Sequence, residues 1–226
     1  ARFERSFPAP AQPTYVLENH DRSRSIDRVG GDEEKARVLA ALLLTVRGVP
    51  TLYMGQEIGM ASTHLPLRQA LDPIASTYFS WIPEPVSKRL PERLNRDEVR
   101  TPMQWDGTVH AGFCPPTTTP WLPVNGDHRT RNVASQVGRP WSLLEWYREL
   151  LHLRRERPAL HAGDLHLLAD APTGVVAYER GHRGEVDRVR VAANLGDAPA
   201  DLALPDGWEV LAASAEDVVV VDGDVR

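Results

Sequence analysis

The sequence predicts an α/β region followed by an antiparallel β domain, and three observations carry that class. A short apolar run, Tyr15-Val16-Leu17, passes into a polar loop, a helix, a tight turn and a second apolar run, Thr51-Leu52-Tyr53-Met54. This order is that of a βα unit feeding a parallel strand. A second strong helical pattern begins at Ser142, and from Gly163 onward the hydrophobic spacing changes to two. The division is expected at residues 1–160 and 161–226.

Residues 1–13 are rich in Pro and lack periodicity, so they read as a connecting loop. The run Tyr15 to Leu17 is long enough for a buried strand. The helix over Asp32 to Arg47 has Asp32 as its cap and Glu33 and Glu34 on its positive end. Val38, Leu42 and Val46 form one row and Leu39 and Leu43 the next, while Gly48 and Pro50 end the helix. Residues 61–140 are irregular and dense in Pro and Trp, and a stretch of that length inside a compact domain is usually functional. Within it Arg100 and Asp106 are expected to pair, and Trp105 and Trp121 to pack the loop, since Trp is highly buried on average. Ser142-Leu143-Leu144-Glu145 has the form of a capping box, and the helix it starts runs to about Arg157 before Pro158. His152, inside that helix, reads as a surface or packing residue. Strands are expected at Val175–Tyr178, Arg188–Leu195, Trp208–Leu211 and Val218–Val221, with the β domain incomplete at its end.

Composition narrows the function. With 42% hydrophobic and 25% charged residues the chain is ordinary for a globular protein. A net charge of -5 gives no footprint for nucleic acid, and no apolar run approaches membrane-spanning length. The single cysteine, Cys114, allows no intrachain disulfide and fits a reducing, cytoplasmic compartment. The first residues, Ala1-Arg2-Phe3-Glu4-Arg5, have neither an initiator Met nor a signal-peptide layout. The chain is therefore expected to begin within a longer protein.

The chemistry concentrates just after the first strand, in Glu18-Asn19-His20-Asp21-Arg22-Ser23-Arg24-Ser25-Ile26-Asp27-Arg28-Val29-Gly30. Ionisable groups crowded at the C-terminal end of a buried strand are the one-dimensional form of an α/β-barrel active site. The pattern Asn19, His20, Asp21, Arg24, Arg28, Gly30 resembles the fourth sequence region of the α-amylase family, glycoside hydrolase family 13, in its α-glucosidase and oligo-glucosidase branch. Gly55-Gln56-Glu57-Ile58-Gly59-Met60 resembles the segment after that family's eighth strand, with Gln56 in place of the commoner Glu. Arg100-Thr101-Pro102-Met103-Gln104-Trp105-Asp106 looks like a loop block of α-glucosidases and trehalose synthases, and is the most specific match in the chain. The insert from Ala70 to Leu94 has no counterpart in the pattern and is assigned no role.

The resemblance implies the last two βα units of a TIM (β/α)8 barrel, with a long loop over 55–140, followed by a C-terminal antiparallel β-sandwich, the whole incomplete at both ends. It implies retaining hydrolysis of α-glucosidic bonds in small oligosaccharides, a chemistry that passes through an oxocarbenium-like state and needs a nucleophile and an acid/base carboxyl. Neither of those lies in these residues. Asp21 is implied as the transition-state stabiliser, His20, Arg24, Asn19 and Arg28 as substrate-binding residues, and Glu57 as a structural acid near the cleft. Arg24 is expected to bond the sugar and to hold a neighbouring carboxylate ionised. No cofactor and no metal is implied, any structural calcium of the family belonging to parts outside this chain. The partner is an α-glucoside, with no nucleic acid or membrane. The alternatives are an isomerising relative of the trehalose-synthase kind and a non-catalytic binding or accessory subunit.

Overall fold

The computed structural model describes residues 6–8, 10–89, 94–182 and 184–215, and the backbone of 220, 221, 224 and 225. The elements run β1 (Thr14–Val16), α1 (Ser25–Arg28), α2 (Glu33–Thr45), β2 (Val49–Thr51), α3 (Glu84–Ser87), α4 (Val133–Gln136), α5 (Leu143–Glu156), α6 (Pro158–His161), β3 (Leu165–Leu167), β4 (Val175–Arg180), β5 (Val189–Asn194), β6 (Leu202–Ala203), β7 (Val220–Val221) and β8 (Asp224–Val225). The chain divides into two compact units. One comprises Ala1–Tyr15, Arg37–Thr51 and Trp146–Arg226, and the other Val16–Ala36 and Leu52–Glu145.

β1 and β2 are hydrogen-bonded neighbours, with α2 between them in sequence. The Asp32 cap forms as its position suggests, accepting from the Glu34 and Lys35 amides at 2.9 and 3.1 Å. The far end of α2 leaves carbonyls unpaired, and two cations meet them. Arg154 of α5 donates to Leu44 O at 2.7 Å and Gly48 O at 2.6 Å, and the buried Arg180 of β4 donates to Thr45 O. Guanidinium charge at a helix C-terminus also complements the macrodipole. Gly48 has φ +147°, and a Cβ there would come within 2.6 Å of Pro13 O and 2.7 Å of the Tyr15 ring.

That close approach moves the second strand. Val49 N donates to Pro13 O at 2.9 Å, so pairing starts at Val49 rather than at the expected Thr51, and the chain has left the sheet by Met54. The buried stripe of α2 also differs from the expected rows. Ala36, Ala40, Leu43 and Leu44 are buried, whereas Val38, Leu39, Leu42 and Val46 are half-exposed. From Val38 to Leu44 every residue of α2 is apolar, so periodicity marks a helix without choosing its face.

The first unit holds the β domain. β3, β4 and β5 form an antiparallel meander with Leu165 opposite Arg180 and Tyr178 opposite Val191. Ala159, Leu160 and Val189 pack with Leu153 and Val191 beneath it. β6, β8 and β7 form a second antiparallel sheet. Trp208–Leu211 is not a strand: after the turn at Asp206-Gly207, the Trp208 indole lies 5.3 Å from the guanidiniums of Arg188 and Arg190. An extended, alternating segment serves here as a cation–π platform instead of joining a ladder. Residues 218 and 219 of the last expected strand lie outside the described residues.

In the second unit the long loop is ordered by turns and polar side chains. Short 3₁₀ turns cover Gln56–Ile58, Leu67–Gln69, Arg96–Val99 and Gly126–Arg129, and Ala75–Phe79 is π-helical. Ile58, Met60, Met103 and Leu144 form a core with Val133 against it. The Gln136 amide spans it, donating to Ile58 O at 2.9 Å and accepting from Leu144 N at 3.1 Å. Two expectations fail here. Trp105 and Trp121 are 51% and 63% exposed, so neither indole packs the loop. Arg100 does not pair with Asp106, whose Oδ1 accepts from the Thr108 amide and hydroxyl at 2.8 and 2.5 Å. A local partner two residues away costs less ordering than a distant one.

Tyr178 gives the first unit a pH signature. The Thr45 hydroxyl donates to Ala41 O at 2.5 Å, so its oxygen accepts from Tyr178 OH at 2.6 Å. Burial pushes the Tyr178 phenol up to about 12. Stability from the buried neutral phenol is therefore full below pH ~10 and lost as pH rises towards ~12, by roughly 2–3 kcal/mol. Urea titrations between pH 8 and 11.5 are expected to show a steeper alkaline loss for the parent protein than for Tyr178→Phe; parallel curves would contradict this.

Candidate active site

The polar loop after β1 is built on a buried ion pair. Glu18 and Arg24 are both almost fully buried, with Arg24 Nη1 2.9 Å from Glu18 Oε1. Glu18 Oε2 accepts from the amide and hydroxyl of Ser25, each at 2.5 Å, which fixes the start of α1. Arg24 also donates to Met54 O at 2.5 Å and Val99 O at 2.9 Å, and lies 4.6 Å from the Tyr53 ring centroid. One guanidinium thus joins three stretches of chain that are distant in sequence.

Above this pair sits Asp21, half-exposed. Asn19 Oδ1 accepts from the Asp21 amide at 2.9 Å and closes the turn. His20 Nε2 lies 3.1 Å from Asp21 Oδ2. Asp21 Oδ1 receives Arg100 Nη2 at 2.9 Å and Arg96 Nη1 at 3.1 Å, and Arg100 Nε donates to His20 O at 2.9 Å. Partial desolvation raises the Asp21 pKa, but the neighbouring His20 and the hydrogen bonds from Arg96 and Arg100 outweigh it and hold the carboxyl below its usual range. Asp21 is therefore an anion at neutral pH, with one oxygen committed to arginine and the other facing His20.

Arg96 carries a second carboxylate, Asp72. Its Nε and Nη2 meet Asp72 Oδ2 and Oδ1 at 2.8 and 2.7 Å. Hydrogen bonding from Arg96 leads the causes that bring Asp72 down to about 2.

Sequence reasoning selected Asn19, His20, Asp21, Arg24 and Arg28, and the structure brings the first three together. For Arg24 it supplies the neighbouring carboxylate, Glu18, but leaves no exposed atom for a sugar: the side chain is 0% exposed. Arg28 is exposed and donates to Leu17 O, apart from the Asp21 cluster. Glu57 is half-buried, and burial raises its carboxyl pKa. Glu18, Asp72, Arg96 and Arg100 were not selected. A signal for the arginines is present, since Arg100 opens the most specific motif of the chain and Arg96 stands four residues before it. Asp72 had none, lying in the insert to which no role was given. Among the described residues no group of three or more His, Cys, Asp and Glu side chains is placed to hold a metal ion.

A strand that delivers an ionised acid, a histidine and arginines to its C-terminal end, in a chain continuing into antiparallel sheets, has the layout of a barrel glycoside hydrolase. Residues 2–163 match the family described as "Alpha amylase, catalytic domain", and residues 155–220 match "Domain of unknown function (DUF3459)". The chain belongs to the α-amylase family, in its α-glucosidase branch. It is 35% identical to an oligo-1,6-glucosidase of Heyndrickxia coagulans, covering 89% of this chain and 38% of that protein. It is also 35% identical to a glucan 1,6-alpha-glucosidase of Streptococcus dysgalactiae subsp. equisimilis, covering 72% of this chain and 32% of that one. Among solved structures, the isomaltulose synthase SmuA from Protaminobacter rubrum superposes with a TM-score of 0.77 at 30% identity, over 98% of this chain and 42% of that one. The trehalulose synthase MutB gives 0.77 at 30% identity, over 96% and 41%. The chain thus spans less than half the length of these relatives.

Removing one member of the buried pair strands a charge. Glu18→Ala is expected to lower stability by roughly 3–5 kcal/mol, and the paired replacement Glu18→Leu with Arg24→Met to cost less than that single change. Chemical denaturation of each variant checks both; a paired replacement that loses as much stability as Glu18→Ala, or more, would contradict this.

Proposed function

We propose that this chain is the part of an α-glucosidase that clamps and stabilises the reacting sugar, with Asp21 as its transition-state stabiliser. The substrates are short α-linked gluco-oligosaccharides, and the α-1,6 bond is the first to assay because relatives of this chain carry that bond in their names. β1, α2 and β2 are read as the seventh strand, its helix and the eighth strand of the barrel. Exposed apolar side chains on and beside those strands, Val16, Val49, Leu52 and Met54, support this. Strands of a closed barrel are covered on both faces, so these are surfaces that further barrel strands would bury.

The observation that carries the proposal is the state of Asp21. An oxocarbenium-like transition state needs fixed negative charge beside the sugar ring. Asp21 is ionised, aimed by two arginines and a backbone turn, and still half-exposed. Arg96 and Arg100 occupy Oδ1, and the exposed pair of Oδ2 with the His20 ring, 3.1 Å apart, is the edge that a sugar hydroxyl would meet. The nucleophile and the acid/base that retention requires are read as lying outside these residues. Isomerisation is the second reading, and the trehalulose and isomaltulose synthases among the structural neighbours favour it. Both reactions cleave a glucosidic bond first, and the same Asp21 serves either. They part at the fate of the glucosyl group, so product analysis separates them.

Asp21→Asn in the complete gene product keeps the shape of the turn and removes the charge. Turnover on isomaltose or maltose is expected to fall by at least ~100-fold, the usual loss for one preorganised transition-state contact, with the folded state retained by circular dichroism. An unchanged rate would remove Asp21 from the reaction.

A further inference from the structure

Arg96 meets two carboxylates with different parts of one rigid group. Its side edge, Nε and Nη2, is taken up by Asp72 at 2.8 and 2.7 Å, and the remaining corner, Nη1, reaches Asp21 Oδ1 at 3.1 Å. A guanidinium is planar and its N–H directions are fixed relative to one another. Once the side edge is chelated, the direction of Nη1 is set.

Asp72 is itself held from several sides. It is 1% exposed. Its amide and that of Leu71 donate to Asp97 Oδ2 at 2.9 and 2.7 Å, and its carboxylate accepts from the amides of Ile74 at 3.1 Å and Arg96 at 3.2 Å. The Asp97 amide donates to Asn95 Oδ1 at 3.1 Å. The insert around residues 71–76 and the turn at 95–97 therefore lock one another, and Arg96 projects from the lock. Asp21 is half-exposed and stands on a loop, and its Oδ1 is shared between Arg96 and Arg100, the latter at 2.9 Å.

We infer that Asp72 is a positioning residue for Asp21: by chelating the side edge of Arg96, it aims the free corner of that guanidinium at the Asp21 carboxylate and fixes the rotamer in which Asp21 meets the sugar. This rests on the reading of Asp21 as the transition-state stabiliser. It gives the insert a part in the reaction although Asp72 touches no substrate. With its pKa brought down to about 2, Asp72 is ionised at neutral pH and the chelate is in place there.

The test compares Asp72→Asn, Arg96→Lys and the double variant in the complete gene product, on whichever of isomaltose and maltose the parent cleaves. Asn turns an amide towards the guanidinium, and a lysine ammonium cannot serve both carboxylates with fixed geometry. Each single change is expected to lower kcat at least about tenfold with KM altered less than about twofold, and the double variant to be no slower than the worse single. A crystal structure of Asp72→Asn is expected to show Arg96 Nη1 withdrawn from Asp21. A kcat for Asp72→Asn within about twofold of the parent, even with a lowered Tm, overturns the inference, as do additive losses. So does an Arg96 still bonded to Asp21 in that crystal structure. If the parent cleaves no α-glucoside, the functional reading falls separately, and the crystal structure alone decides whether Asp72 controls Arg96.

Discussion

The candidate site depends on a charge pair that water does not reach. Glu18 and Arg24 lie beneath the loop that carries Asp21, and together they secure Ser25, Met54 O and Val99 O. A buried pair of this kind gives little net stability compared with apolar residues of the same size. Its value here is geometric. The loop after β1, the segment after β2 and the turn that bears Arg96 and Arg100 converge on one planar group whose donors point in fixed directions. Asp21 can then be held half-exposed, because its neighbours are anchored below it.

The site has two tiers of polar groups with different tasks. In the lower tier, charges are fully desolvated and paired, and they hold backbone. In the upper tier, Asp21, His20, Arg96 and Arg100 are partly open to solvent. Arg96 belongs to the upper tier on its Nη1 corner and is steadied by the buried Asp72 on its side edge. A carboxylate that must meet a developing cation needs fixed surroundings, since reorganisation during the reaction is what preorganised charge avoids. Two arginines on Oδ1 supply that fixity, and Oδ2 meets the exposed His20 ring.

Much of this was legible in the sequence. The two long helices lie within a residue or two of their expected ends, because caps and prolines mark them. The turn Asn19-His20-Asp21 is legible as a cluster, because polar residues crowd directly after a strand. The face of α2 is not legible, since the run Val38 to Leu44 is apolar throughout and offers no contrast. Pairing also escaped: Arg100 turned to Asp21, seventy-nine residues away, while Asp106 closed a local turn. Such pairings follow from tertiary placement, which spacing does not encode. Trp105 and Trp121 were assigned to packing on average behaviour, and both are exposed. Asp72, in a stretch without a recognisable motif, could be found only by seeing which side chain filled the edge of Arg96.

The most direct test is a crystal structure of the complete gene product with a bound, uncleaved α-1,6-linked glucosyl ligand. Asp21 Oδ2 and His20 are expected within hydrogen-bond distance of hydroxyls on the glucosyl ring at the reacting end, with Arg96 and Arg100 still on Oδ1 and Arg24 still buried on Glu18. A glucosyl ring seated away from Asp21, or bonded directly to Arg24, would contradict the assignment of this loop as the sugar clamp.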